Sequence, residues 1–371
     1  MSQSSTGIVL NIWPSKWGLP SIDPSCLAAV MYLQQAIPGK FSIAECSNPD
    51  LSPTGQLPFL THEQHTVSSL HLITKYVDGL KYEDLPTSPN LDASLDHTEK
   101  SQTVAWCAHV ESNLGDLVYH TLYSHHGNYA GLTHPTLVSM LPVPQRYYVP
   151  GRIRESYRPR LEAAGLWSLH TVDDNEKKTF KDPKETKLRT KEQNKKIFLQ
   201  AFGREKVVEK ARSWFDLYKR LLGEKDFIYR DRPTRLDIVL AAHILILLEP
   251  TYPDPFVQVL LKESYHTLVL HAHRVFAQSF ASSNPPARAD VEQRFLWSSL
   301  VPWPPTTRKE LKATEEDTHF SRMRWGFFGL ALGSFGLYMF VSLRMTMAYM
   351  RAKKLSGVYG EEREHEEEEE D

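Results

Sequence analysis

RPTRLDIVLAAHILILLEP, Arg232–Pro250, carries the strongest architectural signal in the chain. Thr234 is followed three residues later by Asp237, a capping box with Asp in the place Glu usually takes. From Ile238 to Leu248 the run is almost wholly apolar. A helix with no polar face has to be surrounded by protein, and this one falls short of the ~20 residues that cross a bilayer. The stretch predicts the buried central helix of a helical domain.

Helical patterns lie on both sides of it. VVEKARSWFDLYKRLLGEK places Val208, Ala211, Phe215, Tyr218 and Leu222 on one face, with Gly223 as a natural C-terminal cap. FVQVLLKESYHTLVLHAHRVFAQSF, from Phe256, reads as a further amphipathic helix. Upstream, TVAWCAHVESNLGDLVYHTLYSH repeats Val104, Cys107, Glu111, Leu114, Val118 and Thr121 near a 3.6-residue period. The N-terminal region differs. GIVLNI (7–12) and FSIAEC (from Phe41) read as strands flanking a helix from about Ser25, with Leu27, Val30, Met31 and Leu33 as its apolar positions. QLPFLTHEQ gives a short strand, a turn and a further strand. SSLHLITKYV opens another helix, with Leu72, Ile73, Tyr76 and Val77 on its apolar side. Strand–helix–strand followed by strand–strand–helix is the order of a thioredoxin-like domain. Pro58, inside QLPFL, argues for an edge position and a tight backbone with a cis bond.

The remaining segments are defined by charge. Residues 150–196 are basic and poor in apolar groups, and predict a solvated insertion whose Lys and Arg residues suit an acidic receptor surface. WSSLVPWPPTTRK is a Pro-rich approach to RWGFFGLALGSFGLYMFVSLR, Arg324–Arg344. There the 19 residues from Trp325 to Leu343 carry no charge. As one helix they would be roughly 28 Å long, close to the hydrocarbon thickness of a bilayer. Trp325 and basic residues at both ends suit an interface. Gly326, Gly329, Gly333 and Gly336 would form a stripe for close helix packing, opposite Phe328, Leu332, Phe335 and Met339. EEREHEEEEED, from Glu361, is an acidic tail. The formal net charge is -2, with no nucleic-acid footprint. Cys26, Cys46 and Cys107 form neither a zinc pattern nor a disulfide framework. MSQSSTGIVLNIW lacks the basic region of a cleaved presequence.

The expected organisation is a thioredoxin-like domain at 1–85 and an all-helical domain at 96–290 with its charged insertion near 150–196. A Pro-rich linker at 291–321, a transmembrane helix within 322–350 and an acidic tail at 351–371 would follow. A small α/β domain before a helical domain with a capped apolar helix resembles the glutathione-transferase fold. GQLPFL, Gly55–Leu60, looks like that family's cis-proline turn. LGEKDFIYRDRPTRLDIVLAAHI looks like the run into its capped core helix. With the C-terminal apolar segment added, the chain is similar to the metaxin family, in particular the fungal metaxin-like subunit of the mitochondrial sorting and assembly machinery. LNIWPSKWGLPSIDPSCLAAVMYLQ, with Pro24, Cys26 and Leu27, matches the opening of that family. The resemblance covers most of residues 7–290. It implies a scaffold on the cytosolic face of the mitochondrial outer membrane. The implied partners are a β-barrel insertase, a second metaxin-like subunit, β-barrel precursors, the outer-membrane translocase receptor and the lipid bilayer.

Chemistry is weakly signalled. A thiol transferase needs Tyr, Ser or Cys near the end of its first strand. Ser15, Ser21, Ser25 and Cys26 stand there; Cys26 would be an activated thiol at a helix N-terminus, the alternative being that it packs into the core beside Leu27 and Ala28. The family's acidic or Gln residue followed by Ser, which holds the glutamyl end of glutathione, is replaced by VSSL, Val67–Leu70. His120, His125 and His126 lack a carboxylate placed to complete a metal site. The sequence therefore predicts no catalytic residue, no cofactor-binding residue, no metal and no enzyme. The alternatives are a membrane-anchored transferase-like enzyme acting through Cys26 or Ser15, and a generic outer-membrane import receptor.

Overall fold

The computed structural model describes residues 7–47, 51–80, 89–167, 186–281, 286–289, 330 and 333–348. The chain forms two compact units, Met1–Pro305 and Thr306–Asp371.

The first unit begins with β1 (Ile8–Ile12), α1 (Pro24–Ala36), β2 (Phe41–Glu45), β3 (Phe59–His62), β4 (His65–Ser68) and α2 (Leu70–Asp78). β1 and β2 run parallel, pairing Leu10 with Ile43. β1 and β3 run antiparallel, pairing Leu10 with Leu60. α1 starts where Pro24 fixes φ and the Asp23 carboxylate accepts the Cys26 N–H at 3.0 Å. Leu27, Val30, Met31 and Leu33 are all buried, and so are most of the helix's other residues. That follows from its position, because it packs on both α2 and the helical half. The Leu57–Pro58 bond is cis, as the sequence predicts. The edge placement does not hold. The sheet order is β4-β3-β1-β2-β5, so β3 is internal and begins at Phe59, just beyond the proline. β5 (Ala287–Arg288) is a strand the sequence did not signal. It pairs in parallel with Ser42 and Ile43, and the Ala289 N–H reaches the Ile43 carbonyl at 2.9 Å.

The helical half comprises α3 (His97–Tyr119), α4 (His126–Asn128), α5 (His134–Met140), α6 (Val149–Ala163), α7 (Thr186–Leu222), α8 (Arg235–Leu248), α9 (Phe256–Ser264) and α10 (His266–Ser279). Two π-helical turns, His120–Ser124 and Tyr129–Thr133, join α3 to α5 by way of α4. Every residue of α8 from Leu236 to Leu248 is buried. α3, α10 and α1 pack around it, so this one helix belongs to the core of both halves. Full burial of each Leu, Ile or Val there contributes on the order of 1.5–3 kcal/mol.

Asp237 organises the start of α8. Its fully buried carboxylate accepts the Thr234 N–H at 2.9 Å and the Thr234 hydroxyl at 2.7 Å. It also accepts the Ile228 N–H at 2.9 Å and the His271 Nε2–H at 2.9 Å. The capping box thus extends beyond its own helix, back to the incoming loop and across to α10.

Several expectations need correction. Residues 150–196 are not simply a solvated loop: α6 occupies 149–163 despite Pro159, and α7 begins at Thr186. In α3 the buried face runs through Thr103, Cys107, Val110, Leu114, Leu117 and Val118, leaving Val104 exposed. In α2 it runs through Leu70, Ile73, Thr74 and Val77, with Leu72 outside. In α7 Val207 is buried and Val208 only half-buried. The expected transmembrane helix is not found. Among the described residues no helix is long and apolar enough to cross a membrane. Residues 333–348 are helical and include Arg344. Gly333 and Gly336 lie in that run with open space around them, and Gly326 and Gly329 lie outside the described residues.

Asp237→Ala strips a shared acceptor from four buried donors on three residues around one helix end. It should lower unfolding stability by about 3–5 kcal/mol in urea titrations, well beyond the ~1 kcal/mol of an ordinary lost cap. A loss no larger than a single cap would show that the carboxylate does not tie the three elements together.

Candidate functional site

The loop after β1 is where a transferase would place its thiol-activating group, and each candidate there is already engaged. The Ser15 hydroxyl donates to the Glu45 carboxylate at 3.0 Å. Ser21 is fully buried, with the Asp23 N–H 3.5 Å from its oxygen. Ser25 is half-buried in the first turn of α1. Cys26 lies at a helix N-terminus but is completely buried. Burial pushes its thiol well above its ordinary range, and the nearby Asp23 carboxylate adds to this. A helix N-terminus lowers a thiol pKa only if the thiolate can form, and here desolvation outweighs it.

Above this loop sits a cluster that sequence reasoning missed. Tyr157 of α6 stacks on Tyr119 at 4.2 Å and on Tyr123 at 4.8 Å between ring centroids. All three rings lie close enough to Asp23 to feel its charge. Burial raises the Asp23 carboxyl to about 6, against the lowering effect of the N–H groups of Cys26 and Ser25. Arg160, from the end of α6, pairs with Asp116 at 2.5 Å and lies 5.4 Å from the Tyr119 ring. The wall between sheet domain and helices is therefore lined by packed aromatic rings. The four-residue spacing of Tyr119 and Tyr123 was a legible signal. Tyr157 was hidden because its segment read as a charged loop.

The second expected anchor for glutathione is also altered. β4 ends at Ser68, and the chain turns into α2 at Ser69, whose φ of 75° lies in the left-handed region. The Ser69 N–H donates to the Pro58 carbonyl at 3.3 Å. The Ser68 hydroxyl is buried and accepts from Ser52 at 3.4 Å. Leu70, the first residue of the helix, is apolar and buried. The turn keeps its shape and presents no acidic or amide side chain.

The histidines are dispersed among structural roles. His120 is buried, and its Nδ1–H donates to the Leu166 carbonyl at 2.5 Å. Burial depresses its pKa to about 4. His125 pairs with Asp254 at 3.3 Å, and its Nδ1 accepts the Asn128 N–H. His126 stands apart from both contacts. Among the described residues no cluster of His, Cys, Asp or Glu has the makings of a metal site.

Known proteins place these observations. The family model for an outer mitochondrial membrane transport complex protein, Tom37, matches residues 26–154. A model of the glutathione S-transferase C-terminal domain matches residues 211–275. Metaxin-1 of Homo sapiens is 26% identical over 269 residues, covering 72% of this chain and 50% of that protein. Metaxin-3 of Xenopus laevis is 32% identical over 177 residues, covering 47% and 55% respectively. The chain is similar to the metaxins. It spans only about half the length of the human metaxin-1, and 74% of the Macaca fascicularis one. The similarity to Tom37 and the metaxins supports a non-enzymatic assignment. Among solved structures, a glutathione S-transferase of Ceriporiopsis subvermispora aligns with a TM-score of 0.47 and 15% identity, over 75% of this chain and all of that one.

Two outcomes follow from the geometry. Cys26, Cys46 and Cys107 are all buried, so the native protein should show no fast-reacting thiol toward a disulfide reagent at pH 8, and three after denaturation. A fast native thiol removed by Cys26→Ser would reverse that reading. His120 gives a pH signature: its folded pKa lies below its unfolded value. Its contribution is therefore complete above pH ~6.5 and is lost as pH falls toward ~4, by about 3 kcal/mol at most. The raised Asp23 works oppositely, its contribution fading as pH rises from ~4 to ~6. Acid unfolding of His120→Gln should lack the His120 share of the slope between those limits, and an unchanged slope would exclude it.

Proposed function

We propose that the chain is a non-enzymatic accessory and scaffold subunit of the mitochondrial outer-membrane sorting and assembly machinery. It would support transfer, insertion and release of β-barrel precursors, as the fungal metaxin-like subunit does. Its partners in this reading are the β-barrel insertase, a second metaxin-like subunit, the precursors and the outer-membrane translocase receptor. The folded domains face the cytosol at the outer membrane.

The observation that carries this reading is the location of the family match. Residues 26–154 run from Cys26 in the first turn of α1 through α3 and into α6, and hold Tyr119 and Tyr123 of the aromatic wall, with Tyr157 just beyond the match. The similarity to an outer mitochondrial membrane transport complex protein thus includes part of the region where a transferase would hold its ligand, though not the loop after β1. In this chain that region holds a buried thiol and aromatic packing. The mechanism is positional: a rigid two-part body holds partners in relative register, with no bond made or broken.

Purification from mitochondria after mild crosslinking should recover the β-barrel insertase and a second metaxin-like protein with the tagged chain. Depletion should slow assembly of newly imported β-barrel proteins while leaving matrix import unchanged. Recovery of import receptors alone, with normal β-barrel assembly, would support a generic receptor instead.

A further inference from the structure

Three arginines stand at the entry to α8, and acids answer two of them. Arg230 pairs with Glu99 of α3 at 2.6 Å, and Arg235 pairs with Asp92 at 3.5 Å. Arg232, between them, has no carboxylate partner among the described residues. Its Nη2 donates only to two neutral acceptors, the Leu91 carbonyl and the Ser94 hydroxyl, each at 3.5 Å. Both contacts lie beyond the usual range of about 2.7–3.2 Å. A guanidinium carries five donors and suits phosphate or carboxylate oxygens, so this one is under-used. Ser94 is exposed, in the turn-rich segment ahead of α3. That segment is pinned in place. The Asp92 N–H donates to the Asn90 side chain at 2.8 Å, the Leu95 N–H donates to the Asp92 carbonyl at 3.1 Å, and Leu91 and Leu95 are buried. An exposed hydroxyl is therefore held beside a cation that lacks an anion.

We propose that Ser94 is a phosphorylation site, and that its phosphate is the anion Arg232 lacks. Asp92 and Asp96, two residues to either side, fit a serine kinase that favours acidic flanks. The Ser94 oxygen attacks the terminal phosphorus of a nucleoside triphosphate. The new O–P bond replaces the one to the nucleoside diphosphate, which leaves, and the hydroxyl proton passes to the kinase. The product carries about two negative charges and three strong acceptor oxygens. An arginine–phosphate pair is shorter than the neutral contact it replaces and roughly twice as strong. The neighbouring acids do not claim Arg232. Asp92 and Glu99 have their own arginines, Asp96 caps α3 by accepting the Glu99 N–H at 2.6 Å, and Asp231 is exposed, where salt screens it. Arg232 lies two residues before Thr234, so the phosphate would tie the segment leaving the sheet half to the cap of α8. The modification tightens the joint between the halves. This goes beyond the scaffold reading and shares with it only the access of a cytosolic kinase.

The test uses the full purified chain with phosphoserine genetically encoded at position 94. In a phosphorus NMR titration its second ionisation should fall about half a pH unit or more below that of the same chain unfolded in urea. Arg232→Gln should return it to the unfolded value, and Arg232→Lys, which keeps the charge, should retain part of the shift. The unmodified folded chain, treated with an acidic-directed serine kinase and ATP, should carry phosphate on Ser94 by peptide mapping. Equal ionisation in the folded and unfolded chains overturns the proposal, and that comparison needs no substitution. An ionisation indifferent to Arg232→Gln overturns it as well, as does a kinase that modifies Ser94 only after denaturation. None of these measurements involves mitochondria, so their failure leaves the scaffold reading standing.

Discussion

One buried carboxylate holds the helical half in order. Asp237 must lie at the dry start of an entirely apolar helix, where a bare charge is costly, so it is surrounded by donors. Those donors come from three directions: its own cap at Thr234, the incoming loop at Ile228, and α10 through His271. Fixing them fixes where α8 begins, how the preceding loop enters and how α10 lies alongside. α8 in turn forms the surface against which α1 packs. The sheet domain is therefore positioned by a polar contact that lies outside it.

The seam between the halves has a polar side and an aromatic side. On the polar side, Arg235 of α8 pairs with Asp92 of the connecting segment at 3.5 Å and that carboxylate accepts the Arg235 N–H at 3.1 Å, while within the sheet half the Tyr32 hydroxyl of α1 donates to Asp78 at the end of α2. On the aromatic side, Tyr119, Tyr123 and Tyr157 stack above Asp23 and Cys26.

What could be read from the sequence was local. The Thr234–Asp237 spacing, the turn at Pro58 and Gly223 with its φ of 61° each encode their geometry within a few residues. The candidate-site serines and Cys26 were correctly located after β1, but burial decides their chemistry, and burial comes from distant helices. α6 was missed because Pro150, Pro159 and its arginines outweigh a thin apolar stripe of Val149, Ile153, Tyr157 and Leu161. Val104 and Val208 were placed one position out of phase, since Thr103 and Val207 take the inward positions. An uncharged run suggested a bilayer span, whereas no helix among the described residues is long and apolar enough to cross a membrane.

β5 gives the first unit an unusual order of completion. The sheet opens with residues near the beginning of the chain and receives its last strand from Ala287–Arg288, after the entire helical half. On the ribosome the β2 edge must therefore wait, with its outward backbone groups unpaired, until α10 has been made. Such an edge is a template for pairing with other strands. A product released before residue 287 would retain the buried cores yet expose that edge. The late strand thus acts as a seal on finished molecules, separating them from prematurely ended ones by their tendency to associate.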